Sequence, residues 1–184
     1  MDCKEEEIKT GGVFEIKPCR KEDIQKIYDM IYELAVFEKL QHMVTGTVEG
    51  LEKSAFGEEK SIYINCGWYT ENGQEQGQLI GYTIHFLSFS TFLCRPGIFL
   101  EDLYIKPEYR GKGLGKKLLL HLTKIAQDKG YGRVEWQCLT WNVEAQKLYN
   151  STGAEVMDGW MQYRLVEGPQ IQKCAKDFEN TKTR

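Results

Sequence analysis

Ile98-Phe-Leu-Glu-Asp-Leu-Tyr-Ile-Lys-Pro-Glu-Tyr-Arg-Gly-Lys-Gly-Leu-Gly115, followed by Lys116-Lys-Leu-Leu-Leu-His-Leu-Thr-Lys-Ile-Ala126, is the stretch around which the chain is organised. Ile98 to Ile105 reads as a strand interrupted by two acids, Glu101 and Asp102, and Pro107 stops it. A glycine-rich loop from Arg110 to Gly115 then runs into an amphipathic helix over Lys112 to about Asp128, whose apolar face is Leu114, Leu118, Leu119, Leu122 and Ile125. The first N–H groups of a helix lack intrahelical partners, the helix dipole is positive there, and Gly111, Gly113 and Gly115 let an anion approach bare backbone. Arg110 and Lys112 add cationic side chains. The strand, loop and helix together therefore read as a phosphate cradle. It follows neither G-x-x-x-x-G-K-[ST] nor G-x-G-x-x-G.

Working outward, Val13 to Lys17 reads as a short strand closed by Pro18, after a polar tail over 1–12. Ile24, Ile27, Tyr28, Ile31, Leu34 and Ala35 recur at helical steps between Lys21 and about Lys39. Thr47 is a fair N-cap for a short helix ending at Phe56. Ser61 to Thr70 and Gln78 to Phe89 are strands joined through Asn72-Gly73, an antiparallel hairpin. Ser90 to Gly97 reads as a loop leading to the central strand. After it come a strand at Arg133 to Leu139, a helix from Asn142 to Ser151, and strands near Ala154 to Met157 and Met161 to Val166. Gly168-Pro169 breaks the last of these and begins an extension over 167–184, partly flexible. This order predicts one α/β (α+β) domain over 13–166, a twisted mixed sheet with helices on both faces.

With 184 residues the chain suits about one domain, and its apolar and charged fractions, 41% and 28%, are those of a globular protein. A net charge of −3 without a lysine and arginine block argues against nucleic acid as the main partner. The six cysteines are scattered, with no C-x-x-C pair and no histidine spaced to complete a zinc site, so no metal is expected. The acidic N-terminus and the lack of a long apolar run predict a cytosolic protein that does not enter a membrane.

Arg110-x-x-Gly113-x-Gly115 after a strand bearing Glu101-Asp102 resembles the pyrophosphate-binding signature of the GNAT superfamily of acetyl-CoA-dependent N-acetyltransferases. Tyr-Glu-Leu-Ala-Val-Phe-Glu at 32–38, Phe-Leu-Glu-Asp-Leu-Tyr at 99–104, Trp-Asn at 141–142, Leu-Tyr at 148–149 and Gly-Trp at 159–160 narrow the likeness to the diamine acetyltransferase branch. That branch holds the spermidine/spermine and thialysine enzymes. The likeness spans roughly residues 14–166. It implies about six or seven strands, two of them splayed to admit acetyl-CoA, and a homodimer.

On this resemblance, Leu103, Tyr104 and Ile105 offer backbone to pantetheine. Gly111, Lys112, Gly113, Leu114, Gly115 and Lys116, with Arg110, surround the pyrophosphate, while Asn142, Val143, Glu144 and Ala145 form the far wall. The acceptor pocket is bordered by Phe37, Glu38, Asp102, Glu135, Gln137, Asp158 and Trp160.

An alkyl ammonium with a pKa near ~10.4 must lose its proton before it attacks a thioester, and the resemblance gives that task to Glu101, directly or through water. Strand alternation puts Leu100 and Asp102 on one face and Glu101 on the other. The departing thiolate is matched by an acid of pKa around ~10, and the family's general-acid tyrosine falls at Tyr149, which also borders the cofactor. Direct attack needs no covalent step, so Cys94 and Cys138 are idle thiols and His42, His85 and His121 are not ligands. Phe89-Ser90-Thr91-Phe92 is nearer the Ser-Thr-Trp of the thialysine enzymes than the Asp-Pro-Trp of the polyamine enzymes, favouring a thialysine-like amino acid over spermidine or spermine. Acetylation of protein lysines or N-termini, and a non-catalytic acetyl-CoA-binding module, remain as alternatives.

Overall fold

The central strand does not alternate evenly, and that irregularity shapes the molecule. In the computed structural model, which describes residues 11–181, β3 (Gln78–Ser90) and β4 (Arg95–Ile105) pair antiparallel as Ile84 with Asp102 and His85 with Leu100. Glu101 is left without a residue opposite it. This is a β-bulge, in which one extra residue bends and twists the strand.

Five strands form one sheet in the order β1 (Gly12–Pro18), β2 (Tyr63–Glu71), β3, β4 and β5 (Val134–Trp136). Neighbours are antiparallel except β4 and β5, which run parallel. The expected hairpin of β2 and β3 is present, and Gly73 at its tip has φ 86°. The loop from β3 to β4 is shorter than expected, four residues over 91–94 instead of 90–97, because both strands extend into it.

Helices cover both faces, as expected. Ile24, Ile27 and Met30 of α1 (Ile24–Phe37) and Ala55 of α2 (Val48–Phe56) pack with Ile64, Cys66, Tyr82, Ile84 and Tyr104. Leu114 and Leu118 of α3 (Leu114–Lys129) pack on the other face with Phe14, Tyr69, Ile80 and Ile105. Thr47 caps α2 as predicted, its Oγ1 accepting from the Gly50 N–H at 3.1 Å.

The molecule divides into two compact units, one ending at Asn142 and one beginning at Val143. The second holds α4 (Val143–Asn150) and α5 (Pro169–Thr181). The strand count among the described residues is five, below the expected six or seven. Residues 154–157 and 161–166 form no strand, and Arg133–Leu139 shrinks to the three residues of β5. Alternating apolar residues make a strand only when a neighbouring backbone completes the ladder, and none does so here. The extension expected over 167–184 carries a helix over Pro169–Thr181, its proline in the first helical position, where the missing N–H costs nothing. Most of the tail expected over 1–12 lies outside the described residues, but Gly12 already belongs to β1.

Candidate active site

β4 and β5 pair at Ile98 with Val134, Phe99 with Glu135 and Leu100 with Trp136, and then part. From Glu101 to Ile105, β4 keeps β3 on one side and has no strand on the other among the described residues. The parting begins at the bulge. A backbone edge opened inside a sheet must find other partners for its N–H and C=O groups, and a ligand amide chain is one such partner.

The bulge also corrects the expected side-chain directions. Leu100 is 2% exposed and lies opposite His85, two residue pairs along from Leu87 and Ile98 and so on the same face, which α3 covers through Ile125. Asp102 instead receives a hydrogen bond from the Tyr82 hydroxyl at 3.3 Å, among the residues packed under α1. Leu100 and Asp102 therefore face opposite ways because the extra residue between them resets the alternation. Glu101 itself is exposed.

Burial raises the Asp102 carboxyl to about 6, with the charge of Glu101 next in weight, partly offset by the Tyr82 hydrogen bond and reinforced by Glu38. Burial also raises Glu38 at the end of α1. Tyr82 lies well above the ordinary phenol range through burial and the Asp102 charge. Glu101 and Glu38 thus both bear on Asp102 electrostatically, an arrangement that favours an incoming ammonium.

A second set of contacts ties α1 to the glycine loop. The Arg110 guanidinium lies over the rings of Phe37 at 4.8 Å and Tyr104 at 5.4 Å, and its Nε–H donates to the Ile105 carbonyl at 2.8 Å. The Tyr104 hydroxyl donates to Glu33 at 2.8 Å, and Phe37 meets Trp141 at 5.6 Å. Tyr82 is not among the residues expected at the site, and Glu33 and Trp141 enter the sequence reading only within the family motifs at 32–38 and 141–142. Tyr82 lies opposite Tyr104 in the β3–β4 register, which the sequence does not reveal.

The loop is open. Gly111 and Gly113 both have φ 76°, and a Cβ built on either meets no atom within 4 Å. Helix α3 begins directly after, the Lys117 N–H donating to the Gly113 carbonyl at 3.1 Å. Leu114 is buried, so at that position only backbone faces the loop. Lys112 sets its ammonium over Tyr69 at 5.4 Å and Tyr109 at 5.2 Å, beside the loop.

Other residues predicted for the site are placed as follows. Leu103 is half-buried, and Tyr104 and Ile105 are buried. Glu135 is engaged by Arg133 Nε at 2.6 Å and Ser88 Oγ at 3.4 Å, while Gln137 is exposed beyond β5. Asn142 ends the first unit. Val143, Glu144, Ala145 and Tyr149 lie on α4 of the second unit, with Glu144 paired to Lys147 at 2.7 Å. Asp158 and Trp160 follow in that unit, exposed.

The family model described as the acetyltransferase (GNAT) family matches residues 26–154. The chain is 34% identical over 165 residues to a thialysine N-epsilon-acetyltransferase of Mus musculus, covering 87% of this chain and 96% of that one. It is 33% identical over 167 residues to the thialysine N-epsilon-acetyltransferase of Caenorhabditis elegans, covering 89% and 98%. Among solved structures, an integron cassette protein from the mobile metagenome of V. cholerae aligns with a TM-score of 0.70 at 24% identity, over 89% of this chain and 98% of that one.

Proposed function

The chain belongs to the acetyltransferase (GNAT) family, and on that premise we propose that it transfers an acetyl group from acetyl-CoA directly to the primary amine of a small, thialysine-like amino acid. The observation that carries this reading is the parting of β4 from β5 after Leu100, next to an open glycine loop at the start of α3. The residues present suit acetyl-CoA. The β4 backbone from Leu103 to Ile105 pairs with the pantetheine amides, and the loop from Arg110 to Lys116 receives the diphosphate, where helix N–H groups and the dipole favour negative charge. The family resemblance adds Asn142, Val143, Glu144 and Ala145 to the residues assigned to the cofactor. When bound, acetyl-CoA supplies an activated thioester carbonyl.

The chain's own residues do the rest. Glu101 takes the proton from the incoming ammonium, directly or through water, and Tyr149 donates one to the leaving sulfur. Phe37, Glu38 and Asp102 border the acceptor, and the family resemblance assigns Glu135, Gln137, Asp158 and Trp160 to the same role. A ring and several carboxyl groups suit an aliphatic chain bearing a second cation. The curated relatives named for thialysine favour that amine over spermidine or spermine.

A homodimer is part of the proposal. Val156 (80% exposed), Trp160 (75%) and Tyr163 (84%) belong to a run of exposed apolar residues in the second unit, which a second copy would cover. The five described cysteines are free thiols, in keeping with a cytoplasmic protein. Mass spectrometry of reactions containing acetyl-CoA with thialysine, lysine, putrescine, spermidine or spermine tests the activity. The expected result is fastest acetylation of thialysine. Preference for spermidine moves the acceptor to the polyamine reading, and no acetylation of any amine refutes the proposal.

A further inference from the structure

Far from the glycine loop, at the other end of α3, the sheet and its helices enclose a second space. Helix α3 puts roughly 20 Å between its first turn and this end. The cavity measures about 340 Å³ and is bounded by β2, β3, β4, the end of α2 and the last turn of α3. That is within the ~300–1,000 Å³ occupied by small-molecule sites. None of its walls belongs to the residues assigned to acetyl transfer.

Its chemistry is one-sided. Phe56, Ile64, Leu87, Ile98 and Ile125 supply apolar wall, and Lys60 and Lys129 supply cations, while no carboxylate lines it among the described residues. The acids adjoining these lysines in sequence do not offset them there. Asp128 pairs with Lys124, and Glu58 and Glu59 lie outside the lining. Neither Lys60 nor Lys129 forms an ion pair among the described residues. The Lys60 ammonium sits 4.4 Å above the Tyr63 ring, which stacks on His85 at 5.5 Å.

His85 is the second, independent sign. It lines the cavity, is only 5% exposed, and its Nδ1 is shut from solvent with no hydrogen-bond partner among the described residues. A buried polar atom left unpaired costs about 1–3 kcal/mol, which a ligand oxygen arriving beside it recovers. Burial, and then the positive surroundings of His121 and Lys60, lower the imidazole to about 4, so at neutral pH the ring has one N–H to donate and no charge. Asn65 donates to Thr83 Oγ1 at 3.3 Å, which fixes the adjoining floor.

We propose that this cavity is a second ligand site, taking a small monocarboxylate with a compact apolar or aromatic body. The carboxylate is held by Lys60 and Lys129, the imidazole of His85 donates to it or to its neighbour oxygen, and the body rests on Ile64, Leu87, Ile98 and Ile125.

The test uses the full chain, with 3-phenylpropanoate as the probe and 3-phenylpropanamide, its neutral isostere, as the control. Calorimetry should show saturable binding of the carboxylate and at least about tenfold weaker binding of the amide, the equivalent of one charge-assisted contact. Lys60→Glu and Lys129→Glu should each weaken the carboxylate by about fivefold or more without altering acetyl transfer. In NMR spectra of the imidazole nitrogens, the His85 signals should move on saturation. No binding at about 10 mM probe, equal affinity for acid and amide, indifference to both charge reversals, or an unmoved His85 ring would each overturn the assignment.

Discussion

The Tyr82 hydroxyl donates to Oδ2 of Asp102 across 3.3 Å, from the middle of β3 to the residue just after the bulge in β4. That hydrogen bond favours the charged carboxylate, but burial and the charge of Glu101 outweigh it and hold the group at about 6.

A stability difference follows from that balance. The folded-state value lies above the ordinary 3.8, so the folded protein binds more protons than the unfolded one between about pH 4 and pH 6. Stability from this group is therefore fully present at low pH and is lost as pH rises through 6. Asp102→Asn keeps the acceptor for Tyr82 and removes the charge. Urea unfolding at pH 8 should find the variant more stable than the parent by about 2 kcal/mol, with the gap closing toward pH 4. A gap that does not change with pH contradicts the burial of this carboxyl.

Arg110 joins the end of α1 to the glycine loop through two rings and a carbonyl. Arg110→Lys keeps a cation but loses the planar stack and the Nε–H bond to Ile105, so thermal unfolding should show a loss of about 1–2 kcal/mol. Acetyl-CoA affinity should fall with it, since the loop loses its anchor. Unchanged stability and affinity would make this cluster incidental.

Gly113 combines a left-handed backbone with open space above it. Valine there should weaken acetyl-CoA binding by about 10²-fold or more, because its side chain enters the diphosphate path and its backbone is strained by about 1–2 kcal/mol. Gly113→Ala carries the strain with a smaller obstruction and should fall between valine and the parent. Calorimetry that ranks all three alike counts against the cradle.

The chemical step rests on Tyr149 and Glu101. Tyr149→Phe should lower kcat by about 10² or more with acetyl-CoA affinity nearly unchanged. Glu101→Gln should depress the rate most near neutrality, where the amine is almost all protonated, and less as pH rises toward the amine's own pKa. A flat ratio of variant to parent rates across pH would remove proton transfer from Glu101.

Much of this fold could be read from the chain because local chemistry decided it. Pro107, the glycines at 111 and 113 and the apolar face of Leu114, Leu118 and Leu122 mark a strand, a turn and a helix wherever they occur. Thr47 and Asn72-Gly73 identify a cap and a hairpin tip in the same local way. The bulge at Glu101 was hidden because it depends on which β3 residue lies opposite, a matter of register between strands. So was the Arg110 stack on Phe37, which joins positions far apart in the chain. Residues 154–157 and 161–166 misled for the converse reason, since they look like strands but have no neighbouring strand in the described chain. Pro169 was read as a strand breaker although proline opens helices equally well.

A structure of the full chain with coenzyme A bound decides whether the opened edge of β4 and the glycine loop hold the cofactor. The pantetheine arm should lie along β4 from Leu103 to Ile105, beyond the last β4–β5 pair at Leu100, and the diphosphate against the N–H groups from Gly111 to Lys116. Coenzyme A found elsewhere on the molecule, or a glycine loop refolded so that its amides point away from the diphosphate, would contradict that placement.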